Sequence, residues 1–134
     1  MEFELNGFEY RVQKLNARAQ FHIMRRLSPM LAELASAVNT VENSEDALTP
    51  LASALARMSD ADADYCLFGL LQAVKRKQNG ALAKVAVENA LMFDDLDMAA
   101  MLRLAFKAFQ FNFADFFQSV PQTLRPWDST QSAQ

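Results

Sequence analysis

At 134 residues, with 51% apolar and 22% charged side chains, the chain has the size of one domain and can bury a core without disulfide or metal staples. A net charge of -3 and a sequence pI of about 5.1 provide no global field for phosphate backbones, which sets nucleic acid aside as the expected partner. Cys66 is the only cysteine, so neither an internal disulfide nor a zinc site built from thiolates is possible, and a reducing, cytoplasmic setting fits.

The opening "MEFELNGFEY" lacks the basic start and apolar run of a secretory signal, and no stretch approaches the roughly 18 apolar residues of a membrane span. The chain is therefore read as neither exported by that route nor inserted. It shows no internal repeat of useful length. The expected class is α+β and mainly helical, with one globular domain over residues 1–120 and a flexible tail over 121–134.

"EFELNGFEYRV" alternates apolar and polar residues on both sides of Asn6-Gly7, the dipeptide suited to the two positive φ angles of a type I′ turn, and predicts a β-hairpin. Phe3, Leu5, Phe8, Tyr10 and Val12 give it one apolar face that must pack on something. From Asn16, a plausible N-cap, the period becomes helical, with Ala17, Phe21, Met24 and Leu27 on one stripe. Ser28-Pro29 stops this helix, or kinks it, and Met30, Leu31, Leu34, Ala35 and Val38 continue an apolar face.

"NTVENSED" reads as a polar surface loop. A helix near Thr49-Pro50 buries Leu51, Leu55 and Met58, and Ser59 caps the next one, whose Asp60 and Asp62 complement the positive helix end. Tyr65 to Val74 is apolar nearly all round, which marks a central helix; "KRKQNG" is read as its end, with Lys75, Arg76 and Lys77 at the negative pole and Gly80 as the left-handed cap. "AKVAVENALMF" predicts a second short hairpin turning at Glu88-Asn89-Ala90. Asp94 is the expected cap of a last helix running to about Val120, with Asp97 completing an acidic capping box.

Candidate chemical sites are outweighed by structural readings. Asp60, Asp62 and Asp64 alternate like the start of a calcium loop, but Tyr65 and Leu71 stand where such a loop needs Gly and Glu. Asp94, Asp95 and Asp97 are explained by a helix start without a magnesium ion. His22 is the single histidine and has no acid nearby in sequence to orient it, and Cys66 lies in the most apolar helix, where a thiol acts as a small hydrophobe. With three glycines in the chain there is no phosphate loop, nucleophile elbow or dinucleotide fingerprint, so enzyme activity and a bound cofactor or metal are not expected.

The segment "FKAFQFNFADFFQSV" holds six of the eleven phenylalanines. On a helix, Leu102, Phe106, Phe109, Phe113, Phe116, Phe117 and Val120 form one face, while Leu104 and Phe111 fall off that stripe among Lys107, Gln110, Asn112 and Asp115. Either the N-terminal hairpin covers the second face or it is a docking surface for another chain. The candidate partner-binding residues are Leu104, Phe111, Phe116, Phe117 and, in the tail, Trp127.

At "MEFELNGFEYRVQKL", "FHIMRRLSP", "MSDADADY", "RKQNG" and "LMFDDLD" the chain resembles the tail assembly chaperones of long-tailed bacteriophages met in prophages, from the first hairpin to about Phe117. It departs at Ala90, where the hairpin turn of the family would be expected to carry glycine. The resemblance implies a small, mainly helical, cytoplasmic protein that coats the tape measure protein, helps recruit tail tube subunits and is absent from the finished virion. It also implies that a longer, frameshifted form can exist. Abundant Met and Phe suit a surface that repacks around varied apolar segments. Two other roles fit the residues: a structural tail component retained in the particle, and a phage regulator using Arg25, Arg26 and Lys75 to Lys77 on DNA; a homo-oligomer is a further partner that the aromatic cluster could serve.

Overall fold

The structure, a computed structural model, describes residues 1–30 and 48–119, with 48 and 115–119 as backbone alone. The described residues form four α-helices and six short strands, an α+β arrangement in which helix dominates.

The predicted first hairpin is present as β1 (Glu2–Leu5) and β2 (Phe8–Val12), in the register Leu5 opposite Phe8. Asn6 and Gly7 take φ of 53° and 85°, the pair of left-handed conformations that a two-residue type I′ turn needs. Tyr10 and Val12 face the core and are buried, while Glu2, Glu4, Glu9 and Arg11 face solvent. Arg11 grips Glu2 across the strands at 2.6 Å and holds its carboxyl below the usual range.

Helix α1 (Ala17–Leu27) begins where expected, with the Asn16 side chain accepting from the Ala19 amide at 2.8 Å. Its buried side matches the expected stripe only in part: Leu27 enters the core with Ile23 and Met24 packs against it, whereas Phe21 stays 62% exposed. A 3₁₀ turn over Ser28–Met30 follows; the apolar run expected from Leu31 to Val38 and the loop expected at 39–46 lie outside the described residues.

Helix α2 (Leu48–Ala56) buries Leu51 and Ala54, with Leu55 and Met58 packed against that core. Helix α3 (Asp60–Leu71) is capped by Ser59, whose Oγ accepts from the Asp62 amide at 3.1 Å, and Asp60 and Asp62 occupy the first turn as expected. It packs on α1 through Gly69, where an added Cβ would stand 3.1 Å from Ile23 Cδ1, closer than nearly all real contacts.

The helix does not run into "VKRKQNG". It ends at Leu71, and β3 (Val74–Gln78) and β4 (Ala81–Lys84) form a hairpin around Asn79 and Gly80, whose φ values are 52° and 84°. The expected C-cap glycine is thus a turn glycine, and the basic run is a strand. Strand β3 pairs with β2, Tyr10 opposite Arg76, so that β1-β2-β3-β4 make one antiparallel sheet. The second predicted hairpin follows as β5 (Ala86–Val87) and β6 (Ala90–Leu91), with Glu88 at φ 54° in the turn; Ala90 pairs with Val87 instead of lying in the turn.

The last helix, α4 (Met98–Ser119), has 22 residues and so a length of about 33 Å. Its cap is Asp97, not Asp94: the Asp97 carboxylate accepts from the Ala100 amide at 2.8 Å. Because α4 touches α2, α3 and the sheet, its buried arc is wide. Leu104, expected off the core stripe, is fully buried, as are Ala105, Phe106, Ala108 and Phe109, and Asn112 and Phe113 are nearly so.

Candidate functional site

Two polar side chains in the core position everything else. Asn112 is 5% exposed and uses its whole amide: Oδ1 accepts from the Leu15 amide at 2.7 Å and Gln20 Nε2 at 3.1 Å, and Nδ2 donates to the carbonyls of Gln13 at 3.2 Å and Ala108 at 2.9 Å. Beside it, Lys14 Nζ donates to the Phe111 carbonyl at 2.7 Å and lies 4.7 Å from the Phe111 ring centroid. The connection from β2 to α1 is thereby fastened to the middle of α4. This matters because a loop without such partners would leave its backbone groups unpaired against an apolar wall.

The second is Arg76, 3% exposed. Its guanidinium lies between the rings of Phe8 and Phe93, 3.4 and 4.3 Å from their centroids, and Nη1 donates to both carboxylate oxygens of Asp95 at 3.0 and 2.9 Å. Arg76 Nε is buried without a hydrogen-bond partner. The arginine binds the first hairpin to the segment ahead of α4, and burial of Tyr10 in the same layer pushes its hydroxyl pKa up.

Fastening α1 to α4 through Asn112 leaves a groove between them. It is lined by Ala17, Gln20, Phe21, Met24, Arg25 and Ser28 on one side and by Asn112 and Phe113 on the other, and has a volume of about 420 Å³. Phe113 is buried and packs against Phe109 with ring planes tilted by 43° and centroids 5.1 Å apart, forming an apolar floor. Phe21 stands at the mouth, its ring edge-on to His22 at 5.3 Å. Because Phe21 precedes Ile23 by two residues, it lies about 200° round the helix from that core side chain. An apolar side chain placed in this groove would leave water against Met24 and Phe113.

Of the residues proposed from sequence, Leu104 is core and not on any surface, and Phe111 is half-buried, packed against the core beneath Lys14. The side chains of Phe116 and Phe117, and all of Trp127, lie outside the described residues. Phe21, expected on the buried stripe of α1, lines the groove instead, and Met24 lines it while also packing against the core. The available signal was that α1 carries more apolar residues than one face needs: Ile23 and Leu27 already form a core edge without them.

The remaining candidates stand apart from the groove. His22 Nδ1 accepts from Arg25 Nε at 3.2 Å, and local desolvation with the neighbouring arginines lowers the His22 pKa. Cys66 is fully buried, which pushes its thiol up to about 11. The five cations considered for DNA do not form one free surface: Arg76 is buried, and Arg26 is held by Asp62 at 3.2 Å and stacked on Tyr65 at 3.8 Å. Among the described residues there is no group of three or more His, Cys, Asp or Glu placed to hold a metal ion, and no helix long and apolar enough to cross a membrane.

The described residues thus form a mainly helical α+β domain with an apolar groove and an exposed aromatic at its mouth. Residues 6–125 match the family model described as phage tail assembly chaperone protein, TAC. The match covers most of the chain, which therefore belongs to the phage tail assembly chaperone family. No curated protein and no solved structure matches it.

Proposed function

We propose that the protein is a holding chaperone that binds an apolar helical segment of the phage tape measure protein in the α1–α4 groove and helps bring tail tube subunits to it. The reading rests on one observation: within a tail assembly chaperone family member, Phe21 is 62% exposed above a groove floored by Phe113. An amphipathic helix laid between two helices, with side chains at three- and four-residue steps, matches that shape. Phe116 and Phe117, which continue α4 beyond the described part of the groove, and Trp127 remain proposed contacts, as does Phe111.

The role is non-enzymatic, exercised in the cytoplasm of the bacterial host, and ends before the virion is complete. Co-expression of the tagged chain with the tape measure protein of the same phage, followed by pull-down, tests it. Fully burying a phenylalanine is worth about 1.5–3 kcal/mol, so Phe21→Asp should weaken the complex by about tenfold or more while leaving the free protein's unfolding transition unchanged. Equal recovery of the tape measure protein by both forms would move the binding surface elsewhere. Presence of the chain in purified virions would favour a structural tail component instead.

A further inference from the structure

Helix α1 carries charge of one sign. It holds Arg18, Arg25 and Arg26 and no carboxylate. At about 100° per residue, Phe21 and Ser28 project towards the groove at nearly one angle, and Arg25 and Arg18 follow about 40–60° further round, away from the core residues Ile23 and Leu27. The two arginines are exposed and stand two turns apart, about 10.5 Å along the axis. They form a cationic ridge along one rim of the groove.

The ridge is not neutralised from within. Arg26, on the other flank of α1, is held by Asp62 at 3.2 Å, whereas Arg18 and Arg25 have no ion pair among the described residues. Arg25 Nε donates to His22 Nδ1 at 3.2 Å. Because desolvation and the nearby arginines lower the His22 pKa, the ring stays a neutral acceptor that steadies the guanidinium on the rim and leaves its charge uncompensated. Arg25 is the one charged side chain among those described along the groove. An evenly acidic partner meets the chain's own net charge of -3, but one whose carboxylates are confined to the flank beside the ridge meets local positive charge.

We propose that the segment received by this groove is an amphipathic helix with carboxylates two turns apart along one flank of its apolar stripe, and that Arg18 and Arg25 select it. The inference rests on the groove being the docking site proposed above and adds which helices it accepts. An apolar side chain of the client enters between Met24 and Phe113 beside Phe21, and carboxylates at i and i+7 of the client reach the two guanidiniums at the matching spacing. Covering Phe21 also removes water from the rim, which makes these ion pairs stronger than pairs on an open surface. An uncharged flank forgoes them, and a basic flank is repelled.

Binding of synthetic helical peptides to the full chain, followed by fluorescence anisotropy at low and at high salt, tests it. Three peptides share one leucine stripe and carry Glu, Gln or Lys at two flank positions seven residues apart. The Glu peptide should bind about fivefold or more tighter than the Gln peptide, the Lys peptide should bind weakest, and high salt should shrink the differences. Arg18→Glu with Arg25→Glu should reverse the order, a gain for the Lys peptide that misfolding cannot produce. Phe21→Ser, which removes the ring without adding charge, should weaken all three alike. Equal affinities that all fall with Phe21→Ser would overturn the charge selection and leave the groove standing; no binding, or binding indifferent to Phe21→Ser, would overturn the groove and the selection with it. A peptide that binds only by releasing monomers from a larger species, seen by sedimentation, would assign the groove to a second copy and overturn the selection as well.

Discussion

The groove exists because Asn112 fastens the β2–α1 connection to α4, and Asn112→Ala measures that directly. The substitution leaves the Leu15 amide, the Gln13 carbonyl and the Gln20 carboxamide without the partners they have at 2.7, 3.2 and 3.1 Å. The Ala108 carbonyl sits inside α4 and also lies in the helical hydrogen-bond ladder, so its loss counts for little. An unsatisfied buried group costs about 1–3 kcal/mol; the three groups are only partly buried, water reaches some of them, and the expected total is about 2–4 kcal/mol. For a domain of this size that corresponds to a fall in Tm of about 8–16 °C. Urea unfolding followed by circular dichroism gives the free energy, and amide exchange at Leu15 gives its location. A change below about 0.5 kcal/mol with Leu15 exchange unaltered would refute the assignment of Asn112 as the fastening residue.

Two further outcomes are expected. Asp95→Ala strips Arg76 of its counter-charge while the guanidinium stays buried, so it should destabilise more than Arg76→Met, which keeps an apolar stem between Phe8 and Phe93; equal urea midpoints would show that leaving the guanidinium unpaired costs nothing beyond losing the pair. The native Cys66 thiol should resist alkylation at pH 8 and react only as urea unfolds the chain, and because burial raises its pKa to about 11, stability should fall as pH rises from the unfolded value of 9.0 towards 11, a slope that Cys66→Ala reduces.

The features legible in the sequence are those set by neighbouring residues. Asn6-Gly7, the Asn16 and Ser59 caps and the apolar run of α3 each act within one turn, and each is where the sequence puts it. What escaped was decided across the molecule. "VKRKQ" carries no apolar alternation because its second inward position is an arginine, and an arginine can be inward only where Phe8 arrives from β2 and Phe93 and Asp95 from the segment ahead of α4. Leu104 lies off the phenylalanine stripe in a helical projection, yet α4 is covered on several sides and its buried arc is wider than one stripe. Phe21 shows the converse: it falls on a plausible apolar stripe of α1, but Ile23 and Leu27 face the core and turn it to the groove.

The fastening at Asn112 also has a consequence in time. The groups it holds were synthesised 92, 97 and 99 residues earlier, so the chain emerging from the ribosome carries its first hairpin and first helix without the side chain that fixes their mutual placement. Contacts of such long range are entropically late and slow folding. Tyr10, Val12 and Ile23 stay uncovered for most of elongation, and the groove becomes competent only once α4 has been made. The groove between α1 and α4 therefore forms only when the last helix is complete, and chains that stop short of Asn112 should be cleared, not accumulate.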